Sequence, residues 1–383
     1  MTVRLKGWGL LVLIWLAQTS AVRAGADPPN AADRPDAAST ARKLHLPDPP
    51  YHYADLDLPV HFKTPAARRL DNTPRDNPVT DAGAALGRVL FYDTRLSVSN
   101  KVACASCHQQ KHAFVDPNRF SKGHTGGLTD RHAPTLVELR YYPRARFFWD
   151  ERASSLEDQV LKPIQSKLEM GNDLPHLMEM LKGDTQYGAL FDKAFGKGSI
   201  TPERTAKALA QFLRSMVSYR SKYDEGLAKA RVVRTDFENF TAEENRGKSL
   251  FVIRCANCHM AGGQAAHFVL DRPRNNGLDA DVRKTDGGIG DLTMNPAQVG
   301  LFKSPSLRNV ELTGPYMHDG RFKTLDEVVE HYSTGIKQHP NVDGRVRRGF
   351  NFDRRQKAAL VAFMKTLTDP QFIADAKYSD PFQ

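Results

Sequence analysis

Cysteine is scarce in this chain: there are four in 383 residues, room for at most two disulfides. No run of lysine and arginine reaches five, so a formal net charge of +10 is scattered rather than gathered into the patch a nucleic acid requires. Long apolar runs are also missing. The one run near the start, Gly7 to Ala17, falls short of the ~20 residues that span a bilayer. No stretch alternates with strand period over any length. Together these absences exclude a nucleic-acid binder, a polytopic membrane protein and a sheet-based fold. Hydrophobic residues at 40% and charged residues at 26% give an ordinary globular balance, in a chain long enough for two domains.

Arg4 and Lys6 precede the short apolar run, and small residues follow it to Val22-Arg23-Ala24. This is the pattern of a secretory signal peptide over residues 1–24, with cleavage after Ala24. Its loss removes three positive charges and leaves +7 on an exported, soluble chain, placed in the periplasm. Residues 25–50 are rich in Ala, Asp, Pro and Arg and read as a mobile leader, with a linker continuing to 74.

An exported chain with four cysteines ordinarily pairs them. Here each lies in a C-x-x-C-H motif, Cys104-Ala105-Ser106-Cys107-His108 or Cys255-Ala256-Asn257-Cys258-His259. That spacing reads as covalent attachment of c-type haem: two thiols three positions apart bond the vinyl groups, and the next histidine ligates iron. A shared zinc site would have to unite pairs about 150 residues apart and would leave both histidines unexplained. The motifs predict two haem c groups, with His108 and His259 as proximal ligands.

The two halves repeat around these motifs. Gly87-Arg88-Val89-Leu90-Phe91 precedes the first and Gly247-Lys248-Ser249-Leu250-Phe251 the second. After them, Ala133-Pro134-Thr135-Leu136 matches Ser304-Pro305-Ser306-Leu307, and Trp149-Asp150-Glu151-Arg152 matches His318-Asp319-Gly320-Arg321. Ser155-x-x-Asp158 and Thr324-x-x-Glu327 are matching helix starts, and Thr241-x-x-Glu244 is a third capping box. The predicted fold is mainly α, two c-type cytochrome domains related by an internal pseudo-repeat: residues 75–234 as the N-terminal haem domain and 235–383 as the C-terminal haem domain with its tail. In the same register Pro163 falls on Tyr332. Proline has no side-chain donor and tyrosine has an oxygen. One haem is thus left open for chemistry while the other is closed by a ligand.

These residues resemble the bacterial di-haem cytochrome c peroxidases and the related MauG-type enzymes. The likeness runs over residues 75–370 and rests on Leu86-Gly87-Arg88-x-Leu90-Phe91-x-Asp93-x-Arg95-Leu96-Ser97, Phe148-Trp149-Asp150-x-Arg152-Ala153, Pro163-Ile164-Gln165, Glu169-Met170 and Pro315-Tyr316-x-His318-Asp319-Gly320. The resemblance implies that peroxide meets the first haem beside Gln159 and Glu169, the carboxylate moving the proton and the amide orienting peroxide. It implies that Trp149 lies between the haems, as an electron relay or simply as a core aromatic. His318 is a hydrogen-bonding group near the haem interface or a satisfied buried histidine.

Three positions carry alternatives. The peroxidases place methionine as second ligand of haem two where this chain has Tyr332, fourteen residues after His318. MauG-type proteins have tyrosine there, while His331, Met294 and Met317 are rival donors in this chain. His124, between Gly123 and Gly126, matches a loop histidine that blocks the first haem in some resting peroxidases; the alternative is an exposed loop residue. The family's calcium ion would take carbonyls at Thr313 and Pro315, but the asparagine that completes the site is His132 here, a poor ligand for a hard cation.

The implied activity is a periplasmic di-haem peroxidase reducing hydrogen peroxide to water with electrons from a small c-type cytochrome or cupredoxin. The alternatives are a MauG-type enzyme that oxidises residues of a partner protein, and a non-catalytic electron carrier, against which the open iron at Pro163 argues. No nucleic-acid partner and no membrane span are expected, and the protein is a monomer or homodimer.

Overall fold

The computed structural model describes residues 43–259, 266–269 and 272–382. The signal peptide and the leader up to residue 42 lie outside them. Among the described residues the structure is helices and loops, joined by isolated bridges without a sheet.

Two helix pairs form its frame. The helix Asp81–Tyr92 packs against Pro202–Ser215, and Ala242–Arg254 packs against Arg354–Lys365. Each first helix carries the glycine of the repeat at the crossing. A Cβ on Gly87 would stand 2.1 Å from the Ala208 carbonyl oxygen, and one on Gly247 1.8 Å from that of Ala359. Only glycine allows backbones this close. Phe212 and Phe363 close the two crossings in equivalent places. The pseudo-repeat therefore extends to Ala208/Ala359 and Phe212/Phe363, beyond the segments that look alike in sequence.

The expected helix starts are present. Thr241 and Glu244 satisfy each other's backbone N–H groups at 3.2 and 2.6 Å, Thr324 and Glu327 at 3.1 and 2.8 Å, and Ser155 Oγ accepts from the Asp158 N–H at 3.0 Å. The loops repeat as well. Thr135 Oγ1 donates to the Ala113 carbonyl at 2.7 Å, and Ser306 Oγ donates to the His267 carbonyl at 2.6 Å.

The expected domain limits differ from the packing in three places. Residues 51–62, read as linker, are built in: Tyr53 is fully buried, and its hydroxyl donates to the Lys377 carbonyl at 2.7 Å. The C-terminal tail, assigned to the second domain, folds back so that Phe372, Tyr378 and Phe382 enter the first core. The helix Lys222–Ala230, assigned to the first domain, places Tyr223 and Leu227 in the second. Amphipathic pattern shows that a segment buries a face but not which core receives it.

A buried charge pair ties that last helix to the second haem's loop. Arg308 is 0% exposed and grips both carboxylate oxygens of Asp224 at 2.8 Å. The Arg308 guanidinium and the His61 hydrogen bond overcome the burial of Asp224 and hold its carboxyl well below the usual range. A depressed carboxyl contributes stability above its unfolded pKa and loses it as pH falls through the folded one, so this contribution is complete at neutral pH. Removing one partner leaves a buried unpaired charge. Arg308→Ala is expected to cost about 3–5 kcal/mol, read as a lower urea midpoint with little change in slope.

Candidate functional site

The first C-x-x-C-H motif forms the short helix Cys104–Cys107, the second follows the helix Ala242–Arg254 as Ala256–His259, and each lies beside a cavity. None of Cys104, Cys107, Cys255 and Cys258 is tied up in a disulfide. His108 Nδ1 donates to the Phe114 carbonyl at 2.9 Å. That bond fixes the tautomer and leaves Nε2 with the lone pair that a metal takes. His108 lines a cavity of about 860 Å³, and a smaller space of about 70 Å³ continues from it to Cys104. His259 and both of its cysteines line a second cavity of about 220 Å³. Its buried Nδ1 has no partner among the described residues. Burial pushes the His259 imidazole down to about 4, so it is neutral and able to ligate at physiological pH. Thiol pairs, neutral imidazoles and adjoining space fit two covalent c-type haems.

The first cavity brings together the residues expected there. Gln159, Pro163 and Glu169 line it with Cys107 and His108. Gln159 and Pro163 come from the helix Leu156–Gln165, and Glu169 from the turn after it. Burial raises the Glu169 carboxyl above its ordinary value, opposed by Ser166 and the Arg152 guanidinium. A raised carboxyl is a stronger base once ionised and gives its proton back at higher pH. His124 lies elsewhere. Its Nε2 is 3.0 Å from the Lys167 carbonyl, and its own N–H donates to the Glu169 carbonyl at 2.8 Å. In this conformation it braces the loop that carries Glu169 and does not face the cavity.

Trp149, His132, His318 and Lys303 line both cavities and so form the wall between them. Trp149 Nε1 donates to the His132 carbonyl at 2.7 Å, which fixes the indole plane. Its ring meets His318 edge-on with centroids 6.4 Å apart, and His318 stacks on Phe302 at 3.8 Å. His318 is buried and pushed down by desolvation. The wall also holds the halves together: Arg131 bonds Asp150 at 2.6 Å and Asp286 at 2.7 and 2.8 Å. Neither Phe302 nor the Arg131 bridge has a signal in a single sequence.

The second cavity settles which rivals of Tyr332 can reach it. Tyr332 and Met317 line it together with His259. The helix Leu325–Glu330 gives way to a π-helical turn at His331–Gly335. Such a turn adds a residue to the helical register, and this one sits where Tyr332 meets the cavity. His331 instead bonds the Asn276 carbonyl with Nε2 at 3.1 Å. Met294 is 82% exposed and does not line the cavity. Burial pushes the Tyr332 hydroxyl up to about 12, so it would bind as phenolate only against a metal's positive charge.

Calcium fits poorly. Thr313 and Pro315 line the second cavity, but His132 is 3% exposed and burial lowers its pKa. A neutral imidazole offers nitrogen where calcium takes oxygen.

Residues 81–231 match the family model for di-haem cytochrome c peroxidase, and residues 244–368 match cytochrome c. The methylamine utilization protein MauG of Methylophilus methylotrophus is 32% identical over 302 residues, covering 77% of this chain and 84% of that protein. Cytochrome c551 peroxidase of Nitrosomonas europaea is 32% identical, covering 75% and 80%. Among solved structures, a MauG-like protein associated with microbial copper homeostasis superposes with a TM-score of 0.69 at 33% identity, covering 80% of this chain and 95% of that one. The diheme peroxidase BthA of Burkholderia thailandensis gives 0.64 at 25% identity, covering 79% and 91%.

Proposed function

Because the chain belongs to the di-haem cytochrome c peroxidase and MauG family, we propose that it reduces hydrogen peroxide to water at its first haem with electrons received through its second. It is a peroxidase-like oxidoreductase with two covalently bound haem c groups. The balance is one peroxide, two electrons and two protons to two waters. The observation that carries the reading is the first cavity: His108 for the iron, Pro163 without a donor atom, and Glu169 and Gln159 beside it. Haem iron, when bound, supplies the electron-accepting centre and the site at which the O–O bond breaks. Glu169 takes the proton from one peroxide oxygen and returns it to the leaving oxygen. Gln159 orients peroxide through its amide, and Trp149 relays electrons across the wall.

The electron donor is a small c-type cytochrome or cupredoxin, and the protein works in the periplasm as a monomer or homodimer. No helix among the described residues is long and apolar enough to cross a membrane. The N-terminal domain carries the peroxide chemistry and the C-terminal domain the electron entry.

A second reading, oxidation of residues in a partner protein, is favoured by Tyr332 at the second cavity and by the MauG relatives. Mixing the oxidised protein with peroxide and a reduced small cytochrome c separates the two. The leading reading expects two cytochromes oxidised per peroxide at a sustained rate. Peroxide consumption without cytochrome oxidation would move the protein to the second.

A further inference from the structure

Asn276 stands between the two possible oxygen and sulfur ligands of the second cavity. Its amide Nδ2 lies 3.4 Å from Tyr332 Oη and 3.4 Å from Met317 Sδ. The amide nitrogen has two protons, one for each acceptor. No sequence motif singles this residue out.

The backbone around Asn276 is fixed on every side. Arg274 and Phe302 exchange backbone hydrogen bonds at 2.9 and 3.0 Å, and the Asn275 carbonyl accepts from the Asp343 N–H at 3.0 Å. The Asn276 carbonyl is held by His331 at 3.1 Å. Gly277 follows with φ +69°, its N–H on Asn275 Oδ1 at 2.8 Å and its carbonyl accepting from the Lys337 N–H at 2.7 Å. A donor mounted this way is oriented before any ligand binds.

We propose that Asn276 is the positioning residue for the second ligand of haem two, donating one amide proton to Tyr332 Oη and the other to Met317 Sδ so that oxygen is favoured over sulfur. The proposal rests on the Tyr332 reading. Its physical basis is an asymmetry between the acceptors. A hydrogen bond to an ionised oxygen is roughly twice as strong as one between neutral groups, whereas a thioether is a weak acceptor. The same amide thus stabilises the phenolate strongly and the neutral sulfur weakly, while occupying the sulfur. Removing it acts twice in one direction: the phenolate loses its donor and Met317 is released.

Asn276→Leu, the double variant Asn276→Leu/Met317→Leu and Asn276→Ser test this in the di-haem protein, each first checked for two haems per chain. The leucine variant is expected to show the red charge-transfer band of a thioether ligand and a more positive haem-two potential. In the double variant the band is lost and the potential falls below that of wild type, because an unassisted phenolate donates more strongly. Asn276→Ser, which keeps a donor, recovers much of the wild-type signal. Wild-type EPR and potential in Asn276→Leu would overturn the role of Asn276. Tyr332→Phe distinguishes that outcome from failure of the underlying reading: an unchanged haem-two signal there removes the tyrosine ligand and this proposal together.

Discussion

Tyr332→Met raises the potential of haem two by on the order of a few tenths of a volt, within the roughly 0.8 V that axial ligands span. A phenolate is a hard anionic donor and favours oxidised iron, whereas a thioether favours the reduced form. The side chain already lines the cavity that His259 lines, on the π-turn His331–Gly335, so the exchange needs no change of backbone path. The variant accepts electrons from reduced cytochrome c faster than wild type does, and behaves more like a cytochrome c peroxidase. Potentiometric titration followed by absorption reads the first effect, and steady-state turnover the second. An unchanged potential would show that Tyr332 is a core aromatic.

Glu169→Gln slows the reaction with peroxide by roughly 10²–10⁴, the usual worth of a general acid–base group. Glutamine keeps the size and part of the hydrogen bonding and removes only the base. Haem spectra should therefore stay close to wild type, which separates lost catalysis from lost structure. The pH profile supplies an independent check. Burial raises the Glu169 carboxyl above 4.5, and the base must be ionised to take the peroxide proton. The wild-type rate constant thus falls on the acid side at a pH above that of an ordinary glutamate, and the fall disappears in the glutamine variant. Stopped-flow mixing across pH reads both, and an unaltered rate would take Glu169 out of the mechanism.

The residues legible in the sequence were those whose chemistry is tied to spacing. Cys104, Cys107 and His108, and their counterparts, form a covalent motif that few other functions produce. Capping boxes such as Thr324–Glu327 are local, so the structure repeats them directly. Pro163 and Tyr332 were visible because an internal repeat acts as a two-sequence alignment. What stayed hidden was long-range. Asn276 meets Tyr332 across 56 residues of chain. Arg308 meets Asp224 across 84, and Arg131 meets Asp286 across 155. Each partner looks like an ordinary polar residue until folding removes it from water. The tail at Phe372 and Tyr378 is legible as apolar, but its choice of the first core depends on tertiary packing. His124 shows the reverse limit: glycines on both sides fit a mobile loop, whereas the Lys167 carbonyl gives the ring a structural partner.

The proposed division of labour leaves one haem open for peroxide and closes the other with tyrosine. A low-temperature EPR spectrum of the resting ferric protein tests it most directly, because each haem's spin state reports its ligands. Two signals of equal weight are expected: a high-spin haem from the His108 site, with no protein side chain as its second ligand, and a low-spin haem from the His259 and Tyr332 site that Tyr332→Phe abolishes. Two low-spin haems, one with the charge-transfer band of a thioether ligand, would contradict it.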